Sequence, residues 1–256
     1  MPQEVTDHPF VVPTVVGPVG GVVSEPPGEL SGALVLLQGL GPPGRAGVNA
    51  NWTRLARELA RELSLAVLRF DFCSEGESTP VGGDVVRGSG WRRSTDLAAL
   101  REIAPWFMQT AGKSELLIVG SCHGGRVALE YAAGEPAVRG LFLITPFMQH
   151  EESVARQLPE GQAGPVWANG PTLDTDAELA EGFGAYLARA PAWVLVGEPE
   201  VEQLQPCARL LEDAGAPSFE LEIVPGIPIH PVGHPRQQEI VHRMVRDRVG
   251  RAVPSG

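Results

Sequence analysis

The stretch Val119-Gly120-Ser121-Cys122-His123-Gly124-Gly125 follows a short apolar run and leads directly into a helical pattern. Small residues two positions before and two positions after a central residue allow a tight, strained strand-to-helix turn that raises the central side chain above the sheet. Glycines flank Cys122 in this way, whereas Ser121 has bulkier neighbours at the same distances. The pattern therefore predicts Cys122 as a nucleophile, and a helix N-terminus favours the thiolate form of a cysteine. A buried cysteine beside a glycine-rich packing turn is the alternative.

On both sides of this turn, short apolar runs alternate with amphipathic helical patterns. Strands are predicted at 33–37, 65–70, 115–119, 140–145, 193–196 and 219–224. Helices are predicted at 52–63, 95–110, 125–133, 201–214 and 237–249. Two β-branched stretches, 10–16 and 20–23, predict a leading hairpin that turns at Gly17-Pro18. The alternation of strands and helices predicts a doubly wound, mostly parallel α/β sheet with helices on both faces.

One segment, 148–190, interrupts the alternation and predicts a small lid over the core. It contains several glycines, Trp167 and a short helical pattern at 176–188. Long irregular segments inside a domain often cover a binding site. The sequence therefore predicts a core formed by residues 1–147 and 191–256, with residues 148–190 as the lid insertion between them.

Composition excludes several classes of protein. The 256 residues include 31 acidic and 20 basic side chains, which give a formal net charge of -11. Because such a surface repels phosphate backbones and anionic lipids, neither nucleic acid nor a membrane is expected as a partner. The first residues lack the basic and apolar parts of a signal peptide, so a cytoplasmic protein is expected. Cys73, Cys122 and Cys207 are too far apart in sequence for a disulfide framework.

Three motifs together resemble the α/β-hydrolase superfamily. The segment Gly120-Ser121-Cys122-His123-Gly124 is similar to its nucleophile elbow, with cysteine in the place of serine. The segment 69–78 is similar to the arginine, aspartate, glycine and Glu-Ser signature after the fourth strand, without its first glycine. Gln38-Gly39-Leu40-Gly41 resembles the His-Gly loop after the third strand, with glutamine in the place of histidine. The resemblance implies an α/β-hydrolase fold with an eight-stranded sheet.

The resemblance also implies a triad in the order nucleophile, acid, histidine. The histidine is expected after the last strand, where His230 is preferred to His234 because it leaves room before the terminal helix. Glu200 follows the seventh predicted strand, 30 residues before His230, and is the expected acid that orients the imidazole. Glu198 is the near alternative for the acid, and Glu151, after the sixth strand, is the distant one.

Acyl transfer also requires hydrogen-bond donors for the developing oxyanion. By the same resemblance, these donors are the backbone N–H groups of Leu40 and His123. No cofactor or metal is expected. The pair His230 and His234 has prolines and a glycine between its members, which would break the helix that brings a HxxxH pair together. The glycines at 39–44 lack the lysine and hydroxyl residue of a P-loop.

A thiolate attacks thioesters and activated esters. The resulting enzyme thioester can then be attacked by a carbon, nitrogen or oxygen nucleophile. The resemblance therefore points to two groups of enzymes. One offloads carrier-bound polyketide or peptide chains by hydrolysis or by Dieckmann-type cyclisation. The other opens lactones in the manner of dienelactone hydrolases.

Three functions are carried forward. The first is a cysteine-dependent acyl-transfer enzyme that takes a small-molecule acyl chain from an acyl or peptidyl carrier protein. The alternative is a stand-alone ester or lactone hydrolase with the same triad. The third is a non-catalytic binding protein of the same fold. An engineered replacement of a catalytic serine by cysteine at position 122 would give the same sequence pattern.

Overall fold

The structure, a computed structural model, describes residues 4–39, 44–73, 76–78, 93–146, 176–198, 201, 209, 212–213, 219–224 and 235–253. The strands in these residues are β1 (Thr6–Thr14), β2 (Gly17–Glu25), β3 (Gly32–Leu37), β4 (Leu65–Phe70), β5 (Leu116–Ser121), β6 (Val138–Ile144), β7 (Ala192–Gly197) and β8 (Glu220–Val224). The helices are α1 (Asn51–Leu63), α2 (Arg93–Thr110), α3 (His123–Gly134), α4 (Asp176–Leu187) and α5 (Pro235–Ala252).

The described strands form one sheet in the order β1-β2-β4-β3-β5-β6-β7-β8. From β4 to β8 all neighbours are parallel, while β1 pairs antiparallel with β2 and β2 antiparallel with β4. This arrangement confirms the predicted mostly parallel eight-stranded α/β sheet. Because the strands from β3 to β8 run in the same direction, their carboxyl ends share one edge, where α/β sheets bind ligands.

Two apolar layers cover the sheet, because successive side chains of a buried strand point to opposite faces. In β3, Val35 and Leu37 pack with residues of α2, α3 and α4. Leu34 and Leu36 pack instead with residues of α1 and α5. The unalternating apolar sequence of this strand is therefore explained by burial on both faces.

Helices α1 and α5 lie side by side and run in the same direction. Arg54 donates to Gln238 at 2.7 Å. His242 Nδ1 lies 3.6 Å from Glu58, and Arg246 lies 3.2 Å from Glu62. Each pair lies one helical turn beyond the previous one on both helices, so the two helices keep one register along their contact.

Two local predictions need correction. The hairpin turns at residues 15–16 and not at Gly17-Pro18, which already belong to β2. The hydroxyl of Thr14 donates to the carbonyl oxygen of Gly17 at 2.6 Å and closes this turn. Helix α3 begins at His123, two residues before the predicted start, because Cys122 O already accepts from the backbone N–H of Gly125 at 2.9 Å.

The proposed lid falls mostly outside the described residues. Its last part forms α4, which buries Phe183 and Tyr186 in the core layer that also contains α3. The phenolic hydroxyl of Tyr186 donates to the carbonyl oxygen of Pro191 at 3.0 Å and fixes the connection to β7. The division of the chain at 148 and 190 stays a prediction, as does most of the helix expected at 201–214.

None of the helices within the described ranges is both long and apolar enough to cross a membrane.

Candidate active site

Cys122 occupies the turn between β5 and α3 in a backbone conformation that side chains rarely adopt. Its φ is 53° and its ψ is -122°. A non-glycine residue at positive φ persists only where its surroundings hold it, and such residues cluster at functional sites. Here the backbone N–H of Cys122 donates to Ile144 O at 3.0 Å, which ties the turn to the carboxyl end of β6. The side chain is partly exposed at the carboxyl edge of the sheet.

The two glycines that flank Cys122 are required by close backbone contacts. A Cβ atom at Gly120 would lie 2.6 Å from the carbonyl oxygen of Gly124. A Cβ atom at Gly124 would lie 2.6 Å from the carbonyl oxygen of Leu37 and would overlap that of Gln38. The tight turn predicted around Cys122 is therefore present, and Ser121 is the last, buried residue of β5.

The loop after β3 approaches the Cys122 thiol directly. A Cβ atom at Gly39 would lie 3.1 Å from Cys122 Cβ and 3.7 Å from Sγ. The absence of a side chain at Gly39 leaves space beside the sulfur. The neighbouring Gln38 is 2 % exposed, and among the described residues its amide has no hydrogen-bond partner. A buried amide thus belongs to the residue directly before Gly39, which approaches the candidate nucleophile.

A hydrogen-bonded imidazole and carboxylate lie beside the turn. His123 Nε2 is 2.8 Å from Asp96 Oδ2, and Asp96 is 1 % exposed. The other carboxylate oxygen, Oδ1, accepts from the backbone N–H of Cys73 at 2.9 Å. The His123 ring also meets Phe72 edge to face, with centroids 5.2 Å apart. Helix α2, the end of β4 and the start of α3 therefore converge on this pair.

Cys73 differs sharply from Cys122 in its surroundings. Burial, and secondly the charge of Asp96, raise the pKa of the Cys73 thiol to about 12. Since the thiolate is the nucleophilic form of cysteine, we expect Cys73 to be unreactive at neutral pH.

A second buried carboxylate, Asp71, holds the loops after β3 and β4 together. Asp71 Oδ1 accepts from the backbone N–H of Arg45 at 2.9 Å, and Oδ2 accepts from the Arg45 guanidinium. The backbone N–H of Glu77 donates to Asp71 Oδ2 at 3.0 Å. The Ser78 hydroxyl donates to the Asp71 carbonyl oxygen at 2.6 Å. The segment similar to the arginine and aspartate signature thus contains a clamp for the loop that precedes α1.

The comparison with protein families gives a match to the alpha/beta hydrolase fold over residues 32–176, more than half of the chain. The chain belongs to the α/β-hydrolase family. A comparison with curated protein sequences finds no match to this α/β-hydrolase.

Solved structures of other α/β proteins share the shape of this α/β-hydrolase over nearly the whole chain. An α/β serine hydrolase without a lid, from Xanthomonas campestris, is 21% identical with a TM-score of 0.63, covering 100% of this chain and 98% of that one. A carboxyl esterase from Bacillus coagulans is 10% identical with a TM-score of 0.71, covering 97% and 99%. A dienelactone hydrolase from Anabaena variabilis is 16% identical with a TM-score of 0.65, covering 96% and 97%.

The structure of this α/β-hydrolase places only some of the predicted site residues. Cys122 and His123 lie together in the elbow, and the exposed Glu198 follows β7 at the same edge of the sheet. The other candidates lie outside the described residues: Leu40, Glu151, Glu200, His230 and His234. Their roles stay predictions. Sequence reasoning treated His123 only as a backbone donor and missed its side-chain partner, Asp96.

Proposed function

We propose that this α/β-hydrolase is a covalent acyl-transfer enzyme with Cys122 as its nucleophile. The observation that carries the proposal is the positive-φ turn, which holds a partly exposed thiol at the N-terminus of α3. The N–H groups at a helix N-terminus and the helix dipole favour the thiolate at that position. Such a turn is a strained place for any residue other than glycine, and a packing role alone does not require it.

In the proposed reaction, Cys122 Sγ attacks the carbonyl carbon of a thioester. A C–S bond forms, and the carbonyl oxygen acquires negative charge while the backbone N–H groups of His123 and Leu40 donate to it. The C–S bond to the leaving group then breaks, and the departing thiolate takes a proton. The enzyme-bound acyl group is released by attack of water or of a carbon nucleophile within the acyl chain, which returns the sulfur as thiolate.

Proton transfer is assigned in this proposal to His230, oriented by Glu200. His230 would take the proton from the Cys122 thiol and supply it to the leaving group. Glu200 would accept the second imidazole N–H and so select the tautomer. His234, Glu198 and Glu151 are the replacements to test if either role fails.

Sulfur as the nucleophile favours a thioester, delivered by an acyl or peptidyl carrier protein, as the first substrate class. Transfer of an acyl group from one thiol to another changes the free energy little, so a carrier-bound thioester can acylate Cys122 without a large energetic cost. The second candidate function is the hydrolysis of an ester or lactone by the same residues. Its support is the similarity in shape to the carboxyl esterase and the dienelactone hydrolase.

The test is intact-protein mass, together with product analysis, after exposure to small acyl thioesters, aryl esters and enol lactones. We expect an adduct of the acyl mass on the unchanged protein and on the Cys73→Ala control, and none on Cys122→Ala. Turnover of thioesters alone supports the first function, and turnover of esters or lactones alone supports the second. Equal turnover by Cys122→Ala would overturn Cys122 as the nucleophile. No adduct and no turnover in any class by the folded protein would overturn the proposal in favour of a binding protein.

A further inference from the structure

The buried carboxylate of Asp96 is a structural feature that the proposed reaction does not use. It lies in the first turn of α2, where the helix dipole stabilises negative charge. Among the described residues, Asp96 forms no ion pair with an arginine or a lysine, and its hydrogen-bond partners are the backbone N–H and the thiol of Cys73 and the His123 imidazole. Burial of a carboxylate without a permanent cation beside it destabilises the folded state. The contacts of Asp96 with Cys73 and His123 are therefore expected to have a role that offsets this cost.

Asp96 fixes the orientation of the His123 ring. His123 Nε2 and Asp96 Oδ2 are 2.8 Å apart, so the two atoms share one proton in a hydrogen bond, which the imidazole donates when the carboxylate is ionised. The edge-to-face contact with Phe72 restricts the ring plane as well. The side chain is thus held from two sides, by α2 and by the end of β4.

Holding this ring also holds the first turn of α3. His123 is the first residue of the helix and directly follows Cys122. Asp96 simultaneously accepts from Cys73 N–H at 2.9 Å, so the same carboxylate connects the start of α3 to the residues after β4. Rotation of the His123 backbone would break one of these hydrogen bonds or the ring contact.

We propose that Asp96 is a positioning residue, which acts through the His123 side chain to aim the His123 backbone N–H at the oxyanion. The inference rests on the proposed function, since it needs an oxyanion at Cys122. A preorganised donor must lie within a few tenths of an ångström of its productive position, and loss of a single donor slows the formation of a tetrahedral intermediate by a large factor. Asp96 itself touches neither the substrate nor the sulfur in this proposal.

The decisive experiment compares two reactions of the same thiol. Acylation by a small acyl thioester needs both the thiolate and the oxyanion donors, whereas alkylation by iodoacetamide needs only the thiolate. For Asp96→Ala we expect acylation of Cys122 to slow at least tenfold more than alkylation does. Asp96→Asn keeps an acceptor for Cys73 N–H and can donate to the other His123 tautomer, so it should recover part of the acylation rate. Equal slowing of both reactions in Asp96→Ala would overturn the inference.

Two further variants separate positioning from a general loss of stability. Glu102→Ala is the matched control, because Glu102 also lies on α2 and also accepts a backbone N–H, that of Val15 at 3.0 Å, but at the hairpin. It should leave the ratio of acylation to alkylation unchanged. His123→Phe keeps an aromatic ring against Phe72 and loses the hydrogen bond. It should reproduce the Asp96→Ala ratio, and the double variant should be no slower, because both changes break one connection.

Amide hydrogen exchange tests the geometry without any substrate. The N–H groups of Gly125 and Arg126 both donate to Cys122 O, at 2.9 and 3.3 Å, and report on the first turn of α3. In Asp96→Ala and His123→Phe, their protection should fall at least tenfold while the exchange of β5 amides stays unchanged. Unchanged protection in the first turn would overturn the inference even in an active enzyme. A protein that is never acylated but shows the local loss of protection would overturn the proposed function and leave only a structural clamp.

Discussion

Asp71 and Asp96 form two clamps at the carboxyl edge of the sheet, and the two differ in one partner. Both carboxylates are buried, at 2 % and 1 % exposure, and each accepts a backbone N–H from the residues after β4. Asp71 then pairs with the guanidinium of Arg45, whereas Asp96 pairs with the imidazole of His123. The arginine contributes a permanent positive charge, whereas the imidazole contributes one directional hydrogen bond through Nε2.

The difference separates a structural clamp from one that adjoins the nucleophile. The Asp71 clamp holds the loop that leads from β3 to α1, and its strength depends on a permanent ion pair. The Asp96 clamp holds the residue next to Cys122, and its strength depends on a directional hydrogen bond to a ring. Changes at Asp71 should therefore affect mainly the free energy of unfolding, and changes at Asp96 mainly the reactivity at Cys122.

The largest expected effect is on thiol reactivity beside the Asp96 clamp. With a pKa of about 12, Cys73 has only ~0.01 % thiolate at pH 8, because the ionised fraction falls tenfold for each unit that the pKa lies above the pH. Iodoacetamide at pH 8 should label Cys122 at least a thousandfold faster than Cys73, as measured by peptide mass spectrometry. Asp96→Asn should raise Cys73 labelling only slightly, since burial is the larger cause of the shift. Labelling of both cysteines at similar rates would contradict this description of the site.

The next effect is on stability at the Asp71 clamp. Asp71→Ala removes the buried carboxylate of the pair and leaves the half-buried Arg45 guanidinium with only the exposed carboxylate of Glu77, at 2.8 Å. Removing one partner of a buried pair lowers the free energy of unfolding by about 3 to 5 kcal/mol. Urea denaturation of Asp71→Ala and Asp96→Ala compares the two clamps directly. The loss should be smaller for Asp96→Ala, and a larger loss there would reverse the comparison.

A substitution at Gly76 can disrupt the Asp71 clamp while Asp71 and Arg45 themselves stay unchanged. Gly76 has φ +49°, and a Cβ atom there would overlap the Asp71 carboxylate. Gly76→Ala should lower the free energy of unfolding by about 2 kcal/mol or more, from backbone strain and displacement of the carboxylate. Gly112→Ala is the matched control, because Gly112 has φ +63° and open space around it. It should show the backbone strain alone, about 1 kcal/mol, and equal losses would mean that the carboxylate moves freely.

The smallest expected effect concerns another histidine and carboxylate pair, on the opposite face of the sheet. The His242 side chain, followed by the charges of His242 and Arg246, lowers the pKa of Glu58 from 4.5 against the opposing effect of burial. A lowered pKa adds stability above about pH 4.5, and this contribution disappears as the pH falls through the folded-state pKa. Glu58→Gln should therefore be slightly less stable than the unchanged protein at pH 7 in thermal melts, and the difference should vanish in acid. A difference that grows in acid would contradict the sign of the shift.

Sequence patterns predicted the fold because its main features are local. Buried strands such as β3 and β5 appear as short apolar runs, and the spacing of glycines around Cys122 follows from backbone contacts within a few residues. The two clamps could not be predicted in this way. Asp96 and His123 are 27 residues apart, and Arg45 and Asp71 are 26 apart, with no periodic pattern connecting them.

The site was predictable only as far as its chemistry lies in contiguous residues. The elbow is contiguous, so the strand-to-helix turn around Cys122 could be predicted from sequence alone, while the roles of Cys122 and of the His123 backbone stay predictions. The proposed acid and histidine depend on how separate loops meet at the carboxyl edge of the sheet, which residue spacing does not determine. Glu200 and His230 therefore stay predictions, and the hairpin turn was misplaced because Gly-Pro is a turn signal that β2 accommodates at its first two residues.

The parallel alignment of α1 and α5 has a consequence for the order of folding. Arg54 and Gln238, which pair across these helices, are separated by 184 residues. Contacts this distant in sequence form late, because most of the chain must be synthesised and ordered before the two residues meet. Until α5 arrives, one apolar face of the sheet, including Leu34 and Leu36, lacks part of its cover. A nascent chain halted before α5 would expose that face to chaperones and to other chains.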